Sequence, residues 1–235
     1  MFSESAELYD LIYSQFKDYP AEASALASLI RAEHPTARTV LDVACGTAEH
    51  ARLLAETHGF DVDGLDLDPN FVRIARTKLT RGQVYEADMT SFAVPQKYDV
   101  VLCLFSAIGY VKTLDNVRRT LERFRVHLAV DGIVIVEPWF APGSLDSGYV
   151  SVSTAKSDGV AVARMTHTTV EGRLSTLRFD YLIGRASGIE HVTELHELGL
   201  FTTDEMLESF ERAGLPATHD PKGLDDRGLF LARAG

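Results

Sequence analysis

The stretch Thr39-Val-Leu-Asp-Val-Ala-Cys-Gly-Thr-Ala-Glu-His50 decides how the rest of the chain is read. Its first six residues are β-branched or aliphatic apart from Asp42, the composition of a buried strand. The strand stops at Cys45-Gly46, and Thr47 opens a helical run with Leu53 and Leu54 inside and Gly59 as its stop. A strand feeding a helix through a tight turn leaves free backbone N–H groups at the helix start, which suit an anionic group. Ala44, Gly46 and Ala48 are small enough for a ligand to approach the backbone closely. Asp66 stands twenty residues beyond Gly46, at the end of Asp61-Val-Asp-Gly-Leu-Asp66. In doubly wound sheets an acid at that offset accepts hydrogen bonds from ribose hydroxyls. The stretch therefore reads as the site of a nucleoside-bearing cofactor.

Upstream, residues 5–16 are predicted helical, with Tyr9 and Tyr13 on one face. Pro20 opens a second helix that carries Ala23, Leu26, Ala27 and Ile30. Downstream, Asp68-Pro69 caps a helix through Phe71, Ile74 and Leu79. A short strand follows at 83–87, a buried one at 98–103, a helix through Val117, Leu121, Phe124 and Leu128, and a strand at 132–138. Such alternation implies a parallel sheet with helices on both faces. The pattern then changes: 149–155, 160–170, 174–183 and 189–200 are strand-like, with turns at Asp158-Gly159, Glu171-Gly172 and 184–188. That meander spacing predicts an inserted antiparallel β cap. Thr202-Thr-Asp-Glu205 is a capping box before a helix that Gly214 ends, and strands at 216–219 and 228–232 complete the first sheet. The expected division is a cofactor-binding core at 1–148, the cap at 149–200, and a return to the core at 201–235.

A chain of 235 residues with 46% hydrophobic content suits one domain, or one domain with an elaborated insert. A formal net charge of −11 argues against nonspecific contact with nucleic acid or anionic membrane, so an anionic ligand needs a local Arg or Lys. No apolar run is long enough to span a bilayer, and the start has no signal-peptide pattern. Two cysteines, Cys45 and Cys103, make no disulfide framework, so the expected compartment is the cytoplasm. The expected partner is a small-molecule acceptor. The oligomeric state stays open, a homodimer among the alternatives.

Three carboxylates fall at expected strand ends: Asp42 inside the first strand, Asp66 at the end of the second, Asp88 after the third. A dinucleotide oxidoreductase needs Asp66 far more than the other two, and it usually shows the fuller Gly-x-Gly-x-x-Gly turn. Only Gly46 is glycine in that frame. S-adenosylmethionine carries no phosphate and relaxes the demand. Its ribose would use Asp66, its adenine amino group Asp88, and its methionine carboxylate the helix start after Gly46. Asp42 sits within an apolar strand and is expected to be buried with partners, bracing the loop.

These residues resemble the class I S-adenosylmethionine-dependent methyltransferases. Asp42-Val-Ala-Cys-Gly-Thr47 is similar to that family's first motif, Gly64-Leu-Asp66 to its second and Ala87-Asp-Met89 to its adenine motif. A closer resemblance covers nearly the whole chain, to the N,N-dimethyltransferases that finish dimethylamino deoxysugars on nucleotide carriers in antibiotic pathways. It rests on Ala6-Glu-Leu-Tyr-Asp10, Lys17-Asp-Tyr19, Leu41-Asp-Val-Ala-Cys-Gly-Thr47, Phe105-Ser-Ala-Ile-Gly109, Val136-Glu-Pro-Trp139, Gly148-Tyr-Val150 and Arg227-Gly-Leu-Phe230. The chain departs from that pattern with Ala48 where Gly is usual, Tyr110 where His is frequent, Phe140 where a second Trp is common, and Asp225-Asp226 before Arg227.

The resemblance implies a doubly wound, mostly parallel seven-stranded α/β sheet of Rossmann-like type. With the motifs above it implies a cofactor set of Tyr9, Tyr19, Ala44, Gly46, Thr47, His50, Asp66, Leu67, Asp88, Met89, Leu104 and Ser106. It implies an acceptor set of Glu137, Trp139, Tyr149 and Arg227, with Gly228 leaving room for a phosphate beside Arg227. Tyr13 and Tyr110 are the candidate proton acceptors, although no single convincing base stands out. The implied reaction is N-methylation of a nucleotide-linked amino sugar. An O or C nucleophile on another metabolite and a dinucleotide oxidoreductase are the alternatives. Glu190-His-Val-Thr-Glu-Leu-His-Glu197 superficially suggests a metal, but His191 and His196 differ by an odd number and face opposite sides of a strand. No metal site is expected there.

Overall fold

The structure, a computed structural model, describes residues 6–224 and 226–234. Eleven strands fall into two sheets. The first contains β1 (Thr39–Val43), β2 (Asp61–Asp66), β3 (Val84–Glu86), β4 (Tyr98–Cys103), β5 (Leu128–Val136), β10 (Ala217–Asp220) and β11 (Leu229–Arg233). Their order is β10-β11-β5-β4-β1-β2-β3. Only β11 runs against its neighbours, β5 and β10. β1 lies between β2 and β4, both parallel to it. The chain moves outward from β1 to opposite sides, so a crevice opens at the C-terminal strand ends between β1 and β4, where such sheets bind ligands.

The near-continuous apolar strands follow from burial on both faces. Alternate residues feed different layers. Val40, Val62, Val100, Leu102, Ile133 and Ile135 pack with Leu26 and Ile30 of α2 (Tyr19–Glu33), Leu54 of α3 (Glu49–Glu56) and Val72 of α4 (Pro69–Lys78). Leu41, Val43, Val101, Val134 and Val136 pack instead with Leu121 and Phe124 of α5 (Leu114–His127) and Phe210 of α6 (Thr203–Arg212). The caps form as their residue types require. Asp18 accepts from Ala21 N–H at 3.0 Å, Asp68 from Asn70 N–H at 2.8 Å, and Thr202 forms a reciprocal capping box with Glu205.

The second sheet has the order β6-β7-β8-β9, formed by Val150–Ser157, Val160–Glu171, Leu174–Arg185 and Gly188–Gly199, all antiparallel. The N-terminal segment differs from the single helix expected over 5–16. Ala6–Leu8 is a 3-10 turn and α1 is only Tyr9–Tyr13. Tertiary packing sets its limits, because a helix this short has little intrinsic stability. Leu8 and Ile12 are buried against Val162, Phe179, Tyr181 and Ile183 of the second sheet. Tyr13 packs with Tyr19, Ala23 and Leu53 of the first layer. This segment therefore ties the two sheets together.

Candidate active site

The loop from β1 to α3 is built from left-handed residues. Ala44, Gly46 and Ala48 have φ of 58°, 55° and 63°. Glycine adopts such angles without cost, whereas an alanine pays for its Cβ. Thr47 consequently lies in the loop, and α3 starts only at Glu49. The loop packs down on β2 because Gly64 has no side chain: a Cβ there would stand 2.9 Å from Cys45 Sγ. Asp66 locks the arrangement. Its two carboxylate oxygens accept from Gly46 N–H at 2.8 Å and from Asp68 N–H at 2.9 Å. Burial pushes its pKa up against the opposing pull of those two N–H groups.

Every residue of the three candidate sets except Glu137 borders one cavity of about 1610 Å³. It opens at the C-terminal ends of β1 to β4 and is bounded on its far side by Ser151, Arg164, Thr166, Leu177, Phe179 and His196 of the second sheet. That volume exceeds the ~300–1,000 Å³ usual for one small ligand, so it can hold two reactants. Asp42, Asp66 and Asp88 all line it, and none takes part in an ion pair among the described residues. Asp42 is 3% exposed and, contrary to the bracing role expected of it, makes no side-chain hydrogen bond with the described residues. Burial first, and the charge of Asp66 second, push its pKa up to about 7. Three carboxyl groups without an ion-pair partner among the described residues suit a ligand rich in hydroxyls and amino groups. S-adenosylmethionine fits that donor set better than a pyrophosphate does.

Several candidates also have protein partners. Thr47 donates to Asp10 at 2.5 Å, and Lys78 completes the bridge to Asp10 and Glu49. His50 lies 2.8 Å from Glu22, which also pairs with Lys17, and its ring meets Tyr19 edge-on. Ser106 donates to the Pro138 carbonyl at 2.7 Å. Leu67 is half exposed and Asp88 exposed at the rim, while Met89 and Leu104 lie along the wall. Tyr9 stacks on Tyr13 with ring centres 4.3 Å apart. Trp139 donates to Ser175 at 2.9 Å, and Tyr149 is exposed at the mouth.

Two of the residues singled out from sequence have partners within the fold. Glu137 is 1% exposed and lies behind the cavity wall, outside its lining. It pairs with Arg227 at 2.9 Å and accepts from Phe105 N–H at 2.6 Å, so it positions other groups. Arg227 thus has a buried partner across the sheet end; Asp225, which precedes it in the sequence, lies outside the described residues. The space beside Gly228 is also taken, since a Cβ there would stand 2.5 Å from His219 Nε2. The φ of 88° at Gly228 and that close ring each require glycine here.

Other features of the site escaped the sequence reading. Phe105 and Ser106 have φ of 51° and 63°, and Lys17 and Arg227 both lie over the Phe105 ring, at 4.0 and 5.1 Å. Arg164, 8% exposed, covers Tyr13 and Phe179 at 5.0 and 4.7 Å. A charge on the inward row Val162, Arg164, Thr166, Thr168 of β7 is a signal that alternation alone could have raised. His191 is exposed and His196 is buried on opposite faces of β9, as the odd spacing requires. His196 Nδ1 stands 3.0 Å from Tyr110 Oη. Burial holds the phenols of Tyr13 and Tyr110 above their usual range, so both stay protonated.

A sequence profile described as a methyltransferase domain matches residues 40–132. The chain is 39% identical, over 99% of its length and 91% of the relative's, to the dTDP-3-amino-3,6-dideoxy-alpha-D-glucopyranose N,N-dimethyltransferase of Streptomyces fradiae. It is 35% identical, over 97% of both proteins, to the dTDP-3-amino-3,4,6-trideoxy-alpha-D-glucopyranose N,N-dimethyltransferase of Streptomyces venezuelae. Among solved structures, Streptomyces venezuelae DesVI matches with a TM-score of 0.92 and 34% identity over 99% of each chain. The SAM-bound amino pentose methyltransferase CalS10 from Micromonospora echinaspora matches with a TM-score of 0.86 and 32% identity, over 100% of this chain and 98% of that one. These findings set aside the dinucleotide oxidoreductase. The loop geometry, the strand-end acids and this extent of identity agree that the chain belongs to the class I S-adenosylmethionine-dependent methyltransferases, in the group of nucleotide-linked amino-sugar N,N-dimethyltransferases.

Proposed function

We propose that this chain methylates the amino nitrogen of a thymidine diphosphate-linked deoxysugar. The observation that carries the reading is the single cavity that runs from Asp42, Asp66 and Asp88 to Trp139, Tyr149 and Arg227. One end suits the cofactor and the other a second molecule of nucleotide-sugar size. The relatives named above act, by their names, on dTDP amino sugars. When bound, the cofactor supplies a methyl group on a positively charged sulfur.

Asp66 is assigned to the ribose, Asp88 to the adenine amino group, and the backbone around Gly46 and Thr47 to the methionine carboxylate. Leu104 and Ser106 line the methyl end, and Tyr9, Tyr19, His50, Leu67 and Met89 enclose the remainder. Trp139, Tyr149 and Arg227 take the acceptor, with Arg227 held in place by Glu137. Holding the two reactants aligned supplies most of the acceleration, because proximity converts a bimolecular step into an intramolecular one. The second sheet acts as the cap that closes the acceptor side. The exposed face bearing Val150, Val152, Met165, Leu182, Ile189 and Leu195 is assigned to a homodimer contact. Among the described residues no helix is long and apolar enough to cross a membrane, and the cytoplasm is proposed as the compartment.

The test is a methyl-transfer screen over dTDP amino sugars, read by mass spectrometry, with simple alcohols and catechols as controls. Transfer to an amino sugar nucleotide supports the reading. Transfer only to the alcohols or catechols overturns it.

A further inference from the structure

On the reading of the acceptor as a sugar amine, we propose that Tyr110, His196 and Glu194 form a proton relay that strips the acceptor's ammonium group before attack. Tyr110 is the group that touches the substrate. His196 and Glu194 are positioning residues that act through it.

Tyr110 stands on the 3-10 segment Ala107–Val111 after β4, and its ring borders the cavity. Its hydroxyl lies 3.0 Å from His196 Nδ1. The other ring nitrogen, Nε2, lies 3.5 Å from Glu194 Oε2. His196 and Glu194 are two apart on β9 and so share its inward face. Their side chains are 0% and 4% exposed. With Nδ1 accepting from Tyr110, a neutral His196 carries its proton on Nε2, the nitrogen that faces Glu194. An imidazolium formed in place would keep that carboxylate beside its charge.

Tyr110 cannot act as a base alone, since burial keeps it protonated. His196 can accept: burial lowers its pKa and keeps it neutral, and Glu194 opposes that shift and steadies the charged form. Among the described residues, the ionisable groups around the pair include Arg164 from β7, Tyr181 from β8, Tyr13 from α1 and Asp66 from β2. Arg164 disfavours an imidazolium that lingers, which favours return of the proton once product leaves.

The step balances as follows. The acceptor's N–H bond breaks and its electron pair stays on nitrogen, where it becomes the attacking lone pair. The proton passes to Tyr110 Oη while the original Tyr110 proton passes to His196 Nδ1. Tyrosine is unchanged and the charge rests on the imidazolium beside Glu194. After product departs, the proton returns by the same path to water in the cavity.

The test compares wild type with His196→Gln and Tyr110→Phe on a dTDP amino sugar across the pH range from neutral to alkaline. General acid–base groups contribute about 100-fold or more, so kcat at neutral pH should fall by at least ~100-fold in both variants. KM and S-adenosylhomocysteine affinity should change little. The deficit should shrink as pH rises through the acceptor amine's own pKa, because the amine then arrives neutral. A second readout needs no turnover: nitrogen NMR of the cofactor-free protein should show His196 protonated on Nε2. A deficit equal at every pH, near-normal kcat at neutral pH, or an Nδ1–H tautomer overturns the relay. If His196→Gln does not fold, Tyr110→Phe and the tautomer decide. Wild type that methylates no amino sugar nucleotide defeats the acceptor reading itself. An active wild type with equally active variants defeats the relay alone.

Discussion

At the residue scale the acids of the cavity make separable predictions. Asp42 titrates at about 7 in the folded chain, against 3.8 for an ordinary aspartate. Between those values the folded state holds a proton that the unfolded state releases. Stability therefore falls as pH rises through that window. Asp42→Asn has no such titration, so its melting temperature in the cofactor-free protein should gain on wild type with rising pH; parallel curves would contradict the assignment. Asp66 holds the Gly46 and Asp68 amides and is assigned to the ribose. Hydrogen bonds to a charged group are worth about 1.5–3 kcal/mol each, so Asp66→Ala should weaken S-adenosylhomocysteine binding at least ~10-fold by calorimetry. Unchanged affinity would remove it from the site. These acids were legible because each stands at a strand end with a fixed offset. The Tyr110–His196 contact was not, because it joins residues 86 apart through a sheet whose register the sequence does not state.

At the element scale, the caps and turns were readable and the packed N-terminal segment was not. Thr202 and Glu205 carry their signal locally, so Thr202→Ala should cost about 1 kcal/mol in urea unfolding. A loss below a few tenths would show that the capping box does not support α6. Residues 5–16 show helical periodicity, yet their length as a helix depends on two surfaces far apart in sequence. The junction of Arg227, Glu137 and Phe105 has the same character. It joins the ends of β4 and β5 to the turn before β11. Removing one partner of a buried ion pair costs about 3–5 kcal/mol, and Arg227→Ala should fall near the lower end because Arg227 keeps some exposure. Adding Glu137→Gln should recover most of that loss. A denaturation midpoint for the double variant no better than that of Arg227→Ala would contradict the pairing account.

At the scale of the whole molecule, the switch from alternating elements to a meander marked both sheets in the sequence. How the second sheet sits over the strand ends depends on contacts such as Leu8 and Ile12 against Phe179 and Tyr181, which no local pattern encodes. Its outer face should make the protein a homodimer by sedimentation. A Val152→Glu and Leu182→Glu pair should shift it to monomer, whereas a wild-type monomer would leave that face without the assigned partner. The central claim is that the single cavity brings a methyl donor and a sugar amine together. The most direct measurement is mass spectrometry of the product after incubation with S-adenosylmethionine and a dTDP amino sugar. The account predicts methyl added at the amino nitrogen of the sugar; methyl on oxygen or carbon, or an unmodified sugar across the whole amino-sugar series, would contradict it.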